Sequence, residues 1–386
     1  MKRIHSIDIT RGLVMIIMAL DHTRDFMHVT SITQSPTDLA TTTPVLFFTR
    51  WITHLCAPTF VFLSGASAYI SFKNKNNVVE SRRFLLSRGI WLIVLEFTLV
   101  NFGLWFDIHF SIFLFDVIAT IGFGFIVLSL FLKATYKTIA IVGLVIIFCH
   151  NLAPLMPFAE TSLIKRILMP LFAPGAFPIS GSTTFVMGYP PIPWLGIMLV
   201  GFAAGKIFEQ PELKRKNNFL KIGFSALALF IIIRFINIYG DSFSWSNQKN
   251  SLYTFLSFIN VTKYPPSLDF CLLFLGIMFI ILSLVEGMKN TFTNIATVYG
   301  KVPLFYFLIH MYIIHLLMFA MVFLQGFKSA DLIFGFNLGR PKTGSGIELW
   351  AIYLVWIAVV VVMYPLCKWY GAYKQNHRDI KWLRYL

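Results

Sequence analysis

The 386-residue chain is 57% hydrophobic and 13% charged, with a mean hydropathy of +0.73. Soluble domains carry about 25% charged residues, so a soluble globular protein is excluded. Continuous apolar runs of about 20 residues likewise exclude a transmembrane β-barrel, whose strands alternate. A net charge of +15 would raise nucleic acid as the partner of a soluble protein. Here the basic residues alternate with apolar runs, so the positive-inside bias of a helical membrane protein explains them and no nucleic-acid partner is expected.

The first element, from Ile4 to His28, sets the problem for the rest. IHSIDITRGLVMIIMALDHTRDFMH begins hydrophilic, turns apolar and then acquires Asp21, His22, Arg24 and Asp25 within five positions. Ionisable residues on an apolar helix are expensive in lipid and mark a functional site by default. Arg11 and His22 are eleven residues apart, about 1,100° of helical rotation, so they share one face about 16 Å apart. No small-residue cleavage site follows the apolar run, so the segment is read as a retained first span rather than a signal peptide.

Apolar length and periodicity predict about ten spans, near 9–28, 54–72, 84–106, 111–132, 138–156, 192–208, 218–238, 267–286, 302–325 and 347–369. The fold class expected is therefore all-α: a polytopic transmembrane helical bundle, read as a single domain over 1–386. With the N-terminus in the cytoplasm, every inside segment holds at least two basic residues. They include Lys2 and Arg3, then Lys73, Lys75, Arg82, Arg83 and Arg88, and finally Lys374, Arg378, Lys381 and Arg384. The bias orients the chain with both termini cytoplasmic. The remaining segments, 29–53, 157–191, 239–266 and 326–346, are long and rich in Pro, Gly, Ser, Thr and aromatics. A short helix is expected from Thr161 to Leu171, followed by APGAFPISGS. Gly201-x-x-x-Gly205 and the small residues of FLSGASAYIS are expected to pack helices closely. The four cysteines (Cys56, Cys149, Cys271, Cys367) show no CxxC and are read as packing residues.

This layout places many ionisable residues in the outer half of the bundle. They are Asp21, His22 and Asp25; His54, opening the second span; Asp107, His109 and Asp116; His150; Asp269, after YPPSL; and His310 and His315. Their shared depth predicts a polar cavity floored near His22. His310 and His315 are five apart and share a face poorly, so one is expected to be a packed, hydrogen-bonded histidine. Asp21 and Asp25 bracket Arg24 and could simply form a local ion pair. No HExxH or comparable spacing occurs, so no metal is expected. Glu96, mid-span, is expected to pair with a neighbour. On the cytoplasmic side ESRRFLLSRG supplies Arg82, Arg83 and Arg88, either as positive-inside anchors or, with Arg11, as a phosphate-binding mouth.

RIHSIDITRGLVMIIMALDHTRDF, APTFVFLSGASAYI, SRRFLLSRGIWLIVLE, YPPIPWLGIMLVGFAAGKIF, KYPPSLDFCLLFLGIMF, YGKVPLFYFLIHMYIIH and the C-terminal WIAVVVVMYPLCKWY occur in that order. Together they resemble a bacterial member of the heparan-α-glucosaminide N-acetyltransferase catalytic-domain family. The Arg11-x10-His22 spacing is also similar to the motif of the family-3 membrane acyltransferases, whose motif histidine serves acyl transfer. The resemblance implies a transmembrane acetyltransferase in the bacterial inner membrane. It would take acetyl-CoA from the cytoplasm and acetylate a sugar amine or hydroxyl of a glycan on the far side. Basic residues (Arg11, Arg82, Arg83, Arg88) would then meet the CoA phosphates. Arg24, Asp269, His315, His310 and Asp116 would line the acceptor site. His22, with His54 as the second candidate, would act as general base or transient acetyl carrier. Asp25, one turn from His22, is the better-placed carboxylate to orient it, and Asp21 the other. The alternative is a membrane carrier or flippase for a sugar or anionic substrate, with the same ionisable cluster as its binding site. A homo-oligomer is compatible with either reading.

Overall fold

A computed structural model describes residues 4–156, 162–377, 379–380 and 383. Lys2, Arg3, Thr161, Arg378, Lys381 and Arg384, named above, lie outside the described residues. The protein is mostly helical. In chain order its elements are α1 (His5–Met27), α2 (Pro44–Thr53), α3 (Cys56–Lys75), α4 (Val78–Leu95), α5 (Asn101–Trp105), β1 (Ile112–Phe115), α6 (Val117–Phe131), α7 (Tyr136–Cys149) and α8 (Leu163–Phe172). There follow β2 (Gly175–Ser180), β3 (Thr183–Met187), α9 (Pro191–Ala204), α10 (Glu212–Ile236), α11 (Ser251–Ile259), α12 (Leu268–Val285), α13 (Thr291–Gly300), α14 (Pro303–Leu324) and α15 (Leu349–Asn376).

Among the described residues, eight helical stretches are long and apolar enough to cross a membrane, from Pro44–Lys75 through Leu349–Asn376, and the chain is an integral membrane protein. The other two expected spans correspond to α1, which carries several charged residues, and to α6, which is only 15 residues long. The helix starts have local causes. Thr43 caps α2 by accepting from the Leu46 amide, with Pro44 in the first turn. Asn77, Thr135 and Ser267 do the same for α4, α7 and α12. The second span therefore begins at Pro44 rather than His54, and His54 sits in the break between α2 and α3. A three-stranded sheet, in the order β1-β3-β2, departs from an all-α reading. Within APGAFPISGS lies β2, which pairs antiparallel with β3, Gly175 opposite Met187. Gly181 takes the left-handed turn (φ +54°), and the strands carry the aromatic and β-branched residues Phe177, Ile179, Thr183, Thr184, Phe185 and Val186. The carbonyl of Phe115 accepts from the Gly188 and Tyr189 amides.

The chain divides into two compact units. The first (1–6, 57–97, 114–287) is built on close helix contacts at small residues. A Cβ on Gly65 would run into the backbone of Met198, and one on Gly201 into the backbone of Phe62. Gly89 faces Gly122, Gly143 faces Gly196, and Gly223 faces Gly276. In lipid, where apolar transfer gives no drive between helices, such close approach supplies the packing. The structural roles expected for the Gly201 and FLSGASAYIS segments are those observed. The second unit (7–56, 98–113, 288–386) contains α1, α2, α5, α13, α14 and α15. Gly12 packs on the backbone of Ala296 and Gly300 on the backbone of Asp8, so α1 and α13 touch backbone to backbone. Trp356 of α15 donates to the Ile16 carbonyl at 2.7 Å.

Candidate functional site

The site is assembled within the second unit around His22. α14 runs alongside α1 and places His310 against it: His22 Nδ1 and His310 Nε2 are 2.9 Å apart. The two rings stack with centroids 5.0 Å apart. Nδ1 of His310 lies 2.8 Å from the Tyr306 carbonyl. A carbonyl only accepts, so the proton of His310 is on Nδ1 and its Nε2 accepts. His22 must then donate from Nδ1, which leaves the lone pair of its imidazole on Nε2. The sequence reading gave this orienting task to Asp25, whose Oδ1 in the structure lies 2.6 Å from the guanidinium of its chain neighbour Arg24.

Asp21, Arg24, Asp25 and Arg50 form one ion network. Arg24, 2% exposed, bridges Asp21 at 3.0 Å and Asp25 at 2.6 Å. Arg50 from α2 grips the second oxygen of Asp21. The local ion pair expected within α1 is therefore extended to a second helix. Arg50 was missed because 29–53 reads as a loop. The signal was present in VLFFTRWIT, where a capped Pro start precedes an apolar helix carrying one arginine.

Above this network the loop 326–346 is tied to the end of α1. Arg340 is 1% exposed. It donates to the His28 carbonyl at 3.0 Å, to Ser31 Oγ at 2.8 Å, to Ser345 Oγ at 3.2 Å, to the Phe26 carbonyl at 3.4 Å, and to the Ser345 carbonyl. These acceptors are neutral, and burial pulls the pKa of the guanidinium down to about 10. The bridge between His28 and Ile347 completes the tie. Nearby in sequence to α5, partial burial pushes the Asp107 carboxyl up. The amides of Ser111 and His109, each at 2.9 Å, outweigh it and hold the carboxyl below its ordinary value.

His315 is the packed histidine. It is buried among Phe26, Phe106 and Phe319, with ring centroids at 5.0, 4.2 and 4.7 Å, and its Nδ1 donates to the Gly103 carbonyl at 3.1 Å. His54 is buried at the α2–α3 break. Arg11 is half-buried on α1.

The remaining expected site residues belong to the first unit. Asp116 is the N-cap position of α6. The buried carboxyl group of Glu96 accepts from the Ala119 amide at 2.9 Å, so Glu96 caps the start of a neighbouring helix. Asp269 opens α12, buried, with Arg234 at 3.6 Å. Arg234 also donates to the carbonyls of Phe243, Ser257, Phe258 and Asn260, which ties α10 to α11. Of the basic cluster, Arg82 donates to the Ser129 carbonyl at 3.1 Å, Arg88 lies over the rings of Phe84 and Phe125, and Arg83 is exposed. Among the described residues, no group of three or more His, Cys, Asp or Glu is arranged to hold a metal ion.

A family model described as heparan-alpha-glucosaminide N-acetyltransferase, catalytic, matches residues 3–237. A search of curated proteins gives no significant match.

Proposed function

The chain belongs to the heparan-α-glucosaminide N-acetyltransferase catalytic family, a family that uses acetyl-CoA as donor, and from that premise we propose a transmembrane acetyl transfer centred on His22. The donor is acetyl-CoA taken from the cytoplasm. The acceptor is an amine or hydroxyl of a sugar on the extracytoplasmic side. The observation that carries the reading is the His22–His310 pair, because it gives one imidazole a defined lone pair. A general base needs that lone pair near neutral pH. His310 fixes the tautomer of His22 as a second group orients the base in a triad. The acceptor N–H or O–H loses its proton to His22 Nε2 while its heteroatom attacks the acetyl carbon. Collapse breaks the C–S bond, and the proton passes from His22 to the departing thiolate.

In this reading Arg11 meets a phosphate of CoA, and the Asp21–Arg24–Asp25–Arg50 network holds the helix turn that carries His22. Arg24 is assigned to the acceptor side, with His54 as the reserve base. The chain acts as one transmembrane domain of ten spans, both termini cytoplasmic, in a bacterial inner membrane. The test is acetyl transfer from labelled acetyl-CoA to glucosamine and to oligosaccharide acceptors, with purified wild type beside His22→Ala and His310→Phe. Transfer should fall at least about 100-fold in His22→Ala and substantially in His310→Phe. Unchanged transfer in a folded His22→Ala protein would sink the assignment. Transport of a sugar into vesicles without CoA would favour a carrier instead.

A further inference from the structure

One turn before His310 on α14 stands Tyr306, a tyrosine whose side chain is 0% exposed and whose hydroxyl meets no hydrogen-bond partner among the described residues. Its neighbour Tyr299 shows the ordinary solution: equally buried, it donates to the Val360 carbonyl at 2.8 Å. Tyr306 packs edge-on to Tyr299 at 5.4 Å and tilted on His310 at 5.0 Å. The thiols of Cys56 and Cys367 lie near the Tyr306 hydroxyl. That of Cys56 is already directed at the Val14 carbonyl at 3.3 Å. A buried hydroxyl without a partner costs about 1–3 kcal/mol, so a position like this calls for an explanation. The same residue supplies the carbonyl that fixes His310. Tyr306 thus joins the tautomer-setting contact to an unspent donor within one turn.

Building on the acetyltransferase reading above, we propose that the Tyr306 hydroxyl donates a hydrogen bond to the carbonyl oxygen of the acetyl thioester, and so is a further catalytic residue of the same site. When the acceptor heteroatom attacks the acetyl carbon, His22 Nε2 takes its proton and the π pair of the C=O moves onto oxygen. The Tyr306 O–H stabilises that oxyanion without giving up its proton. When the C=O re-forms, the C–S bond breaks with its electron pair leaving on sulfur, and the imidazolium of His22 returns the proton to the thiolate. A donor held in place before the reaction, in a site without water, is what makes such a contact effective.

The experiment is Tyr306→Phe in the full-length protein, with Tm and acetyl-transfer kinetics measured on the same preparation. A hydroxyl with no protein partner contributes nothing to folding, so the variant should melt at the wild-type temperature or above it. Loss of one oxyanion donor lowers kcat by about 10²–10³-fold, with KM for acetyl-CoA little changed. A second measurement compares two unreactive analogues: acetonyl-CoA, which keeps the carbonyl, and propyl-CoA, which lacks it. Wild type should prefer the ketone, and Tyr306→Phe should lose that preference. Wild-type kcat in Tyr306→Phe overturns the proposal, as does equal binding of both analogues by wild type. A lowered Tm overturns it as well, because the hydroxyl would then have a structural partner. These results leave the acetyltransferase reading intact. A wild type with no CoA-dependent transfer removes that reading and this proposal together.

Discussion

Asp21 and Asp25 are one helical turn apart and both touch Arg24, yet their surroundings assign them very different weight. The Asp21 side chain is 10% exposed and shared by two guanidiniums, Arg24 and Arg50. The Asp25 side chain is 44% exposed and holds one. Replacing Asp21 by Asn leaves Arg24 and Arg50, 2% and 13% exposed, each short of a carboxylate oxygen. Breaking a buried pair by removing one partner costs about 3–5 kcal/mol. Replacing Asp25 by Asn removes a half-exposed contact worth about 0–1 kcal/mol, since Arg24 retains Asp21 and water reaches the rest. At about 2–4 °C per kcal/mol for a domain of this size, Asp21→Asn should lower Tm by about 6 °C or more. Asp25→Asn should lower it by no more than about 4 °C. The assay is thermal unfolding in detergent, followed by intrinsic tryptophan fluorescence. Adding Arg50→Gln to Asp21→Asn should cost less than the sum of the two, because the charge left unpaired by the first change is removed by the second. Equal losses for the two aspartates, or full additivity of the pair, would refute the network as drawn.

Two further outcomes follow from named contacts. Gly12→Val should displace α1 from α13, because its Cβ would occupy the Ala296 carbonyl. Overpacking of about 1–3 kcal/mol or more should appear as a lower Tm, and the same holds for Gly300→Val against Asp8. Asp107 gives a pH dependence of defined sign. Its folded-state pKa lies below 3.8, so the unfolded chain binds the proton more readily. The stability it contributes is complete above that value and fades as pH falls through the folded-state pKa. The Tm gap between wild type and Asp107→Asn should therefore hold at pH 5–7 and close toward pH 3. A gap that widens on acidification would overturn the assignment.

The chain's sequence determined that it lives in a membrane, and where most of its spans run, because lipid demands long apolar helices that satisfy their own backbone. It singled out His22 and its charged neighbours because ionisable residues there are conspicuous against an apolar background. The packing glycines were legible for the same reason. It also set Asp116, His150, Asp269 and His22 at one depth of the bundle. Depth is a one-dimensional coordinate, and which spans adjoin is decided by side-chain fit. Only the tertiary structure could choose between Asp25 and His310 as the partner of His22, since they lie three and 288 residues away in sequence. The choice was made by competition. Arg24 captured Asp25 locally, while Tyr306 fixed His310 with its lone pair turned to His22. A hydrogen-bond direction of that kind exists only once both helices are packed.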